Sequence, residues 1–550
     1  MHNSVTSRAT RCSWKDFQDL LTHTHKEKTD TVDVQMGVTG LWDLLGGGEE
    51  LELTDCSGET WAVDLTAWMV HAHAASFKAK GVSGEYVMMI TVLHRALGLM
   101  KCGIRPVFVM DGQFAPAIKE DTLQHRSLKM KDCTKENPTD RSSMSHANIK
   151  CQRLLESLGL PVIASMGEAE KTCAYLNQKG IVDACLSDDS DAFLYGAKTI
   201  YRRFNLDQKT AECYRMCDIE SSLNLQRSDL VVLGLLSGCD YSKGVEGIGA
   251  KKAYNLICSM KENQQAGQED VLSRIVNWRS NEELEKMVEK QRLLMELKKP
   301  AHCSICRHQG DKQHHLSSGC SICGTKLLCL PEPRRDCSCL YHQLVSEVTP
   351  YKLELDARRR ALKNADFPDK KLMEEFLNED SELGHDFCVQ LSLPDWERLA
   401  EALGQHFNMN HEQMMKKMIP VLAHMHLHDT LPYTNTSPKQ ILKSCIRKRV
   451  PCYQIHWQRF DFDKWSPVPS PQVDLQLTPK AADSKADPYI IDVSRTVFSK
   501  RYPEMVTLFD STPVKRKRGR IPFTPSCREQ KEESTGAKKK LIFNEGESVN

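Results

Sequence analysis

A chain of 550 residues is too long for one hydrophobic core, so two or three domains are expected. With 40% hydrophobic residues it can bury a sizeable interior, while a net charge of +1 leaves any polyanionic partner to be argued from local patches. No uninterrupted apolar run reaches the ~18 residues of a membrane-spanning helix, and the residues read below place the chain in a reducing compartment.

Residues 1–35 contain no apolar leader core, and Asp16, Asp19, Glu27, Asp30 and Asp33 argue against an organellar transit peptide. Between 58 and 200, short β-branched runs alternate with helix-like stretches. ETWAVD, IRPVFVMD, LPVIAS and VDACLSDD read as strands; residues 66–100 and EAEKTCAYLNQKG read as helical, the latter stopping at Gly180. Such alternation predicts an α/β core, a mostly parallel sheet flanked by helices. Residues 114–150 are polar, carry Asn137-Pro138, and read as a mobile excursion between strands. From about 218 to 300 the pattern is helical, a cysteine-rich insert occupies 301–342, and a helical extension of the core runs over 343–430. IRKRVPCYQIHWQRF reads as paired strands and TVFSKRYPEMVTLF as helical, together a small module over 440–510. Residues 511–550 are expected to be a disordered basic tail. Its run Lys515-Arg516-Lys517-Arg518-Gly519-Arg520 is either a solvated charge run or a nuclear import signal.

The chemistry lies in where the acids fall. Asp64 ends one predicted strand and Asp111 the next; Glu168 and Glu170 follow the third, Asp189 and Asp191 the fourth. Taken singly, each is a common turn former or helix cap. Taken together, four strands deliver acids at the carboxyl edge, where open parallel sheets bind ligands. Six carboxylates gathered there repel one another unless a cation sits among them, and an all-oxygen set suits Mg²⁺ or Mn²⁺ rather than zinc. A seventh acid, Asp240, lies just before Gly244-Val-Glu-Gly247-Ile-Gly249-Ala-Lys251-Lys252, a glycine-rich turn opening a helix, which presents backbone N–H groups and lysines to phosphate.

There are 22 cysteines, seven of them between Cys303 and Cys339 and the rest mostly scattered singly. Cys303-x-x-Cys306 and Cys320-x-x-Cys323 have zinc-ligand spacing, with Cys329, Cys337, Cys339 and several histidines nearby; the alternative is a loop of free thiols.

Six blocks carry a family resemblance: MGVTGLW at 36–42, AVDLTAW at 62–68, VFVMDG at 107–112, GEAEKTCAYL at 167–176, SDDSDAFLYG at 187–196 and GCDY with GVEGIGAKKA at 238–253. In order, they resemble the signature blocks of the XPG/flap-endonuclease superfamily, and the segment 167–196 looks most like the Gen-type Holliday-junction resolvases. The resemblance implies a nuclease core over 36–240 and a helix–two-turn–helix DNA-binding region over 241–300. It also implies a chromodomain-like module in the position of 440–510. Asp64, Asp111, Glu168, Glu170, Asp189, Asp191 and Asp240 would bind two Mg²⁺ ions, Mn²⁺ being able to substitute, with Asp188 a neighbour only. The turn at Gly244, Gly247 and Gly249, with Lys251 and Lys252, would grip duplex DNA and could hold K⁺.

Lys119 and Arg126 would steer the scissile phosphate; one extra residue between Asp111 and Lys119 departs from the family spacing, and an exposed polar face is the alternative reading. Family chains start at the equivalent of Met36-Gly37, so residues 1–35 are expected to be a disordered extension or a mis-assigned start. The implied activity is Mg-dependent hydrolysis of branched DNA in the nucleus, in DNA repair and homologous recombination: symmetric nicking of four-way junctions by a homodimer, and cleavage of 5′ flaps by a monomer. The alternatives are a flap endonuclease proper, or a non-catalytic junction or chromatin binder.

Overall fold

The computed structural model describes residues 37–76, 83–112, 138–263, 269–324, 339–378, 387, 389–430, 437–447, 450–458 and 489–511. The expectations for 1–35, for 114–137 with Lys119 and Arg126, and for the tail beyond 511 lie outside them.

Seven strands build one sheet: β1 (Glu49–Glu52), β2 (Thr60–Asp64), β3 (Arg105–Met110), β4 (Val162–Ala164), β5 (Ala184–Leu186), β6 (Thr199–Asn205) and β7 (Thr210–Arg215), in the order β1-β7-β6-β5-β2-β3-β4. The five strands from β6 to β4 are parallel, whereas β7 and β1 run antiparallel along one side. Strands β2 to β5 are the four legible in the sequence. Val63, Val107, Phe108 and Val109 are fully buried, the near-continuous apolar character that a parallel strand covered on both faces requires. Asp64 lies opposite Val109, Val63 opposite Leu186 and Met110 opposite Ala164, so the carboxyl ends of β5, β2, β3 and β4 are neighbours at one edge.

Helices cover this sheet. The stretch read as helical over 66–100 is two helices, Leu65–Ser76 and Gly84–Lys101. The polar excursion is shorter than expected: Pro138–Ser157 is a helix, started by a proline that needs no N–H partner at that position. Ala147, Cys151, Leu154 and Leu155 are fully buried, so the later turns of this helix belong to the core layer. The helix Ala169–Gln178 is followed by Gly180 at φ +71°, where the chain turns out.

Beyond β7 the chain is helical. Arg227–Ser237 and Ala250–Glu262 flank the glycine turn, followed by Val271–Val276 and Glu282–Glu296; after the insert come Leu340–Val348, Lys352–Ala361 and Lys370–Leu377, then Trp396–Phe407 and His411–Leu427. A buried carboxylate, Glu354, ties two of these segments together. It takes a bidentate pair from Arg274 at 2.8 and 2.9 Å and the Trp278 indole N–H at 3.0 Å.

A second, three-stranded antiparallel sheet follows, order β10-β9-β8, with β8 (Pro438–Arg447), β9 (Val450–Trp457) and β10 (Ile490–Ser494). Its core is Ile455, Trp457 and Val493 with Phe498 of the helix Arg495–Arg501, all fully buried. The paired strands therefore begin earlier than the 446–460 run. The helical stretch expected over 496–509 is divided, because Pro503 lacks the donor needed to continue a helix and opens a new one, Pro503–Ser511. No helix among the described residues is long and apolar enough to cross a membrane.

Candidate active site

Each strand end delivers its acid and the local backbone holds it. At the end of β2, Asp64 accepts the Ala67 N–H at 2.8 Å, capping the helix that follows. Asp111, one residue past β3, accepts the Ala169 N–H at 2.8 Å, which joins the β3 end to the helix carrying Glu170. Its own N–H donates to Thr66 Oγ1 at 3.0 Å. After β5, the Asp191 N–H donates to Asp189 Oδ1 at 2.9 Å, fixing that pair. Asp240 arrives from elsewhere: it lies in the turn closed by the Cys239–Ser242 bridge, and its Oδ1 accepts the Gly37 N–H at 3.3 Å.

These seven carboxylates form one electrostatic community. Burial pushes Asp64 up to about 7, and the charges of Asp111, Asp189 and Glu168 push the same way against the Ala67 hydrogen bond. Asp189 is likewise raised to about 7, first by burial, then by Asp240 and Glu168. Glu170 and Asp191 are driven well above the carboxylate range by burial and by one or more of Asp189, Asp240, Asp64 and Glu168. Four of the acids are hardly exposed: Glu168 8%, Glu170 9%, Asp189 8% and Asp191 2%. Among the described residues, Glu170 Oε1 and Asp191 Oδ1 are buried without a hydrogen-bond partner. Buried carboxylate oxygens left unpaired are costly unless a cation completes them.

Asp188 points elsewhere. Its carboxylate accepts the Arg203 N–H at 3.0 Å and lies 3.9 Å from the Arg202 guanidinium, so it is not one of the seven.

One feature of the site was not read from the sequence. The Tyr241 hydroxyl donates to Glu168, and its ring packs edge-on against Phe376 of the helix Lys370–Leu377, so the helical extension buttresses the acids from behind. The amino end also threads into the site. Gly37, at φ +84°, leaves so little space that a β-carbon would lie 2.2 Å from Asp189 Oδ1, while Val38 N–H donates to Ser190 Oγ at 2.9 Å.

The glycine turn lies beside this edge. Gly244 and Gly247 have φ of +67° and +76°, and Gly249 is the extended residue that starts the helix Ala250–Glu262. Lys252 Nζ donates to the Gly247 carbonyl at 2.9 Å; Lys251 and Lys252 are both exposed. Lys119 and Arg126 lie outside the described residues.

In the insert, the two Cys-Ser-Ile-Cys segments fold alike. Ile305 N–H donates to Cys303 Sγ at 3.5 Å and Cys323 N–H to Cys320 Sγ at 3.4 Å, and the residue after each segment, Arg307 or Gly324, has positive φ. The four cysteines pack together, and two overlapping donor groups share Cys306: Cys306, His308, Cys320 and Cys323 in one, Cys303, Cys306 and His315 in the other. His308 Nδ1 is 3.5 Å from Cys320 Sγ and 3.3 Å from Cys323 Sγ; His315 Nδ1 is 3.4 Å from Cys306 Sγ, with its other nitrogen 2.9 Å from the Gln309 carbonyl. The histidines crowding this segment thus join the donor set, which sequence spacing had drawn as four cysteines.

The XPG N-terminal domain pattern matches residues 36–133 and the XPG I-region pattern residues 159–240. "Flap endonuclease GEN homolog 1" of Homo sapiens is 31% identical over 436 residues, spanning 77% of this chain but only 46% of its own length. "Flap endonuclease GEN-like 1" of Oryza sativa subsp. japonica is 30% identical over 488 residues, 80% of this chain and 76% of the relative. The fold is that of human GEN1 solved with Holliday junction DNA, at TM-score 0.56 and 24% identity over 86% of this chain and 97% of that one. With the XPG signature regions in sequence order and most of the rice relative covered, the chain belongs to the GEN-type flap endonucleases of the XPG family.

Proposed function

We propose that the protein is a Mg²⁺-dependent structure-specific endodeoxyribonuclease that nicks four-way DNA junctions symmetrically as a homodimer and cuts 5′ flaps as a monomer. The observation that carries this is the acid cluster itself. Seven carboxylates from five chain segments meet at one sheet edge, two of their buried oxygens lack partners, and only a bound cation makes such a set worth keeping. Asp64, Asp111, Glu168, Glu170, Asp189, Asp191 and Asp240 are the residues to hold two divalent ions, Mg²⁺ with Mn²⁺ as substitute, because all their donors are hard oxygens. Bound there, such ions lower the pKa of a water and neutralise charge on a phosphodiester.

The chain's own groups orient and seat the substrate. Tyr241 aims Glu168, the Ala169 N–H aims Asp111, and the threaded Gly37–Val38 segment pins the Asp189–Asp191 turn. The helix start at Gly249 with Lys251 and Lys252 offers N–H groups and charge to a DNA backbone, and the turn at Gly244–Gly249 is the candidate K⁺ site. Lys119 and Arg126 remain the candidates for holding the scissile phosphate. The small sheet with its helix is read as a chromodomain-like module and a second DNA-contact surface. The paired Cys-Ser-Ile-Cys segments are read as a structural zinc site, revised from four cysteines to Cys306, His308, Cys320 and Cys323. The setting is nuclear, in DNA repair and homologous recombination.

Incubation of the protein with a synthetic four-way junction and Mg²⁺ tests this reading: paired symmetric nicks are expected. Flap-only cleavage points instead to a flap endonuclease proper, and binding without cleavage to a junction adaptor. The Glu168→Ala/Glu170→Ala variant should bind the junction and not cut it; cutting that survives removes the site assignment.

A further inference from the structure

Between the helices Glu282–Glu296 and Leu340–Val348 the chain leaves the helical layer for the cysteine-rich insert and then returns. Where it leaves stands His302; where it returns stand Cys339 and His342. His302 Nε2 is 3.5 Å from Cys339 Sγ, and His342 Nδ1 is 3.6 Å from the same sulfur. The two imidazole rings lie 4.5 Å apart, centroid to centroid. This trio shares no residue with the donors around Cys306.

Three features distinguish it from a chance meeting of side chains. First, His302 Nδ1 lies 2.6 Å from the Pro300 carbonyl, which can only accept; the ring proton therefore sits on Nδ1, and Nε2 turns a bare lone pair toward Cys339. Metal-ligating histidines are oriented in this way, with the remote nitrogen donating to a carbonyl. Second, Cys339 is the N-cap residue of Leu340–Val348, so its place is set by the start of that helix. His342 follows at the i+3 position, on the same helix face. Third, the spacings fit. A tetrahedral ion with Zn–S near 2.3 Å and Zn–N near 2.0 Å sets its sulfur and nitrogen donors ~3.6 Å apart. Imidazole nitrogen with thiolate sulfur is the donor chemistry of zinc, not of the ions suited to the acid cluster.

We propose that His302, Cys339 and His342 form a second zinc site, separate from the one around Cys306, which closes the neck of the insert. The inference rests on the reading of the insert as zinc-bearing. Its physical role is loop closure: the ion joins the two strands of chain where they leave and rejoin the helical layer, which sets the inner donors on a fixed base.

The test is the zinc content of the purified full-length chain by elemental analysis, beside two variants: His302→Ala/His342→Ala at the neck and Cys320→Ser/Cys323→Ser in the inner group. The neck variant is expected to lose one zinc per chain relative to the parent while keeping the inner ion. An unchanged count in the neck variant, with zinc lost only from the inner variant, overturns the second site and leaves the inner reading standing. A parent chain without zinc removes both. Should either variant fail to fold, Co²⁺ titration of the metal-stripped parent decides: tetrahedral cobalt–thiolate absorption rising to two equivalents supports the neck site, and saturation at one overturns it.

Discussion

Gly37 shows how much of this site depends on single atoms. Its positive φ and the 2.2 Å approach to Asp189 Oδ1 leave no place for a methyl group, so Gly37→Ala must displace either the amino segment or the Asp189–Asp191 turn. Misplacing an acid by about 1 Å costs on the order of 10²-fold in rate, so junction cleavage should fall by roughly that factor while binding persists. Single-turnover cleavage beside an equilibrium binding titration checks both halves, and equal losses in the two would refute the positioning argument. Glu170 makes a complementary case. Without divalent ions, Glu170→Gln should raise the melting temperature, because burial and the charges of Asp189, Asp191, Asp64 and Glu168 make the folded chain bear the cost of keeping this carboxyl protonated, a cost that glutamine does not carry. With Mg²⁺ the parent should regain the difference, by about 2.7 kcal/mol at a hundredfold excess over its Kd, and the variant should respond far less. A Mg²⁺-independent melting temperature in the parent defeats this. At this scale six of the acids were legible because each follows a strand end, and Asp240 because it stands just before the glycine turn. Tyr241, His308 and His315 were not assigned, because hydroxyl and imidazole partners depend on turns whose geometry no spacing rule encodes.

At the scale of elements, the sheet order explains why the acids meet. β5, β2, β3 and β4 are adjacent and parallel, so four sequence-distant strand ends share one edge. Each strand was readable as a short β-branched run; β1, β6 and β7 were passed over because they mix charged and apolar residues, as EELE, TIYRRFN and TAECYR show. The polar excursion was drawn too long for a related reason: the helix Pro138–Ser157 opens on the polar run Pro-Thr-Asp-Arg-Ser-Ser, so its start resembles a loop in the sequence. The glycine turn offers a sharper discrimination. At Gly244, φ is +67° and a β-carbon would lie 2.4 Å from Gly238 N and 2.6 Å from the Leu236 carbonyl. Gly249 is extended and faces open space. Gly244→Ala should therefore cost more than about 2 kcal/mol, the left-handed penalty plus the backbone clash, whereas Gly249→Ala should stay within about 0.5 kcal/mol. Urea denaturation of the two variants separates them; equal destabilisation would mean that the turn is not held in this conformation.

Across the whole molecule, one helix links the nuclease layer to the small sheet. His411–Leu427 packs along Gly84–Lys101, and the residues at its end reach both ways. His428 Nδ1 lies 2.5 Å from Ser57 Oγ beside the β2 entrance, while the His426 ring meets Trp457 of β9 edge-on at 5.9 Å. His424 is held down to about 3, chiefly by burial, then by the charges of His428, Lys101 and Lys209. A histidine whose folded pKa is depressed stays neutral in the native state while the unfolded chain takes up its proton, so its contribution is intact above ~6.5 and is lost as pH falls toward the folded value. The carboxylates at the sheet edge act with opposite sign: Asp64 and Asp189, raised to about 7, bind protons in the folded chain first and stabilise it as pH drops from 7 toward their ordinary range. A single pH–stability curve therefore mixes two opposing effects, and the informative quantity is the difference between the parent and His424→Leu. That difference should shift against the parent by about 1 kcal/mol per pH unit between roughly pH 6 and 4, as the imidazole's refusal to protonate becomes a growing liability that leucine does not share. Urea denaturation at fixed Mg²⁺ across that range measures it. A constant difference would mean that His424 reaches solvent, and that the helix joining the nuclease layer to the small sheet is packed more loosely than its contacts with Ser57 and Trp457 require.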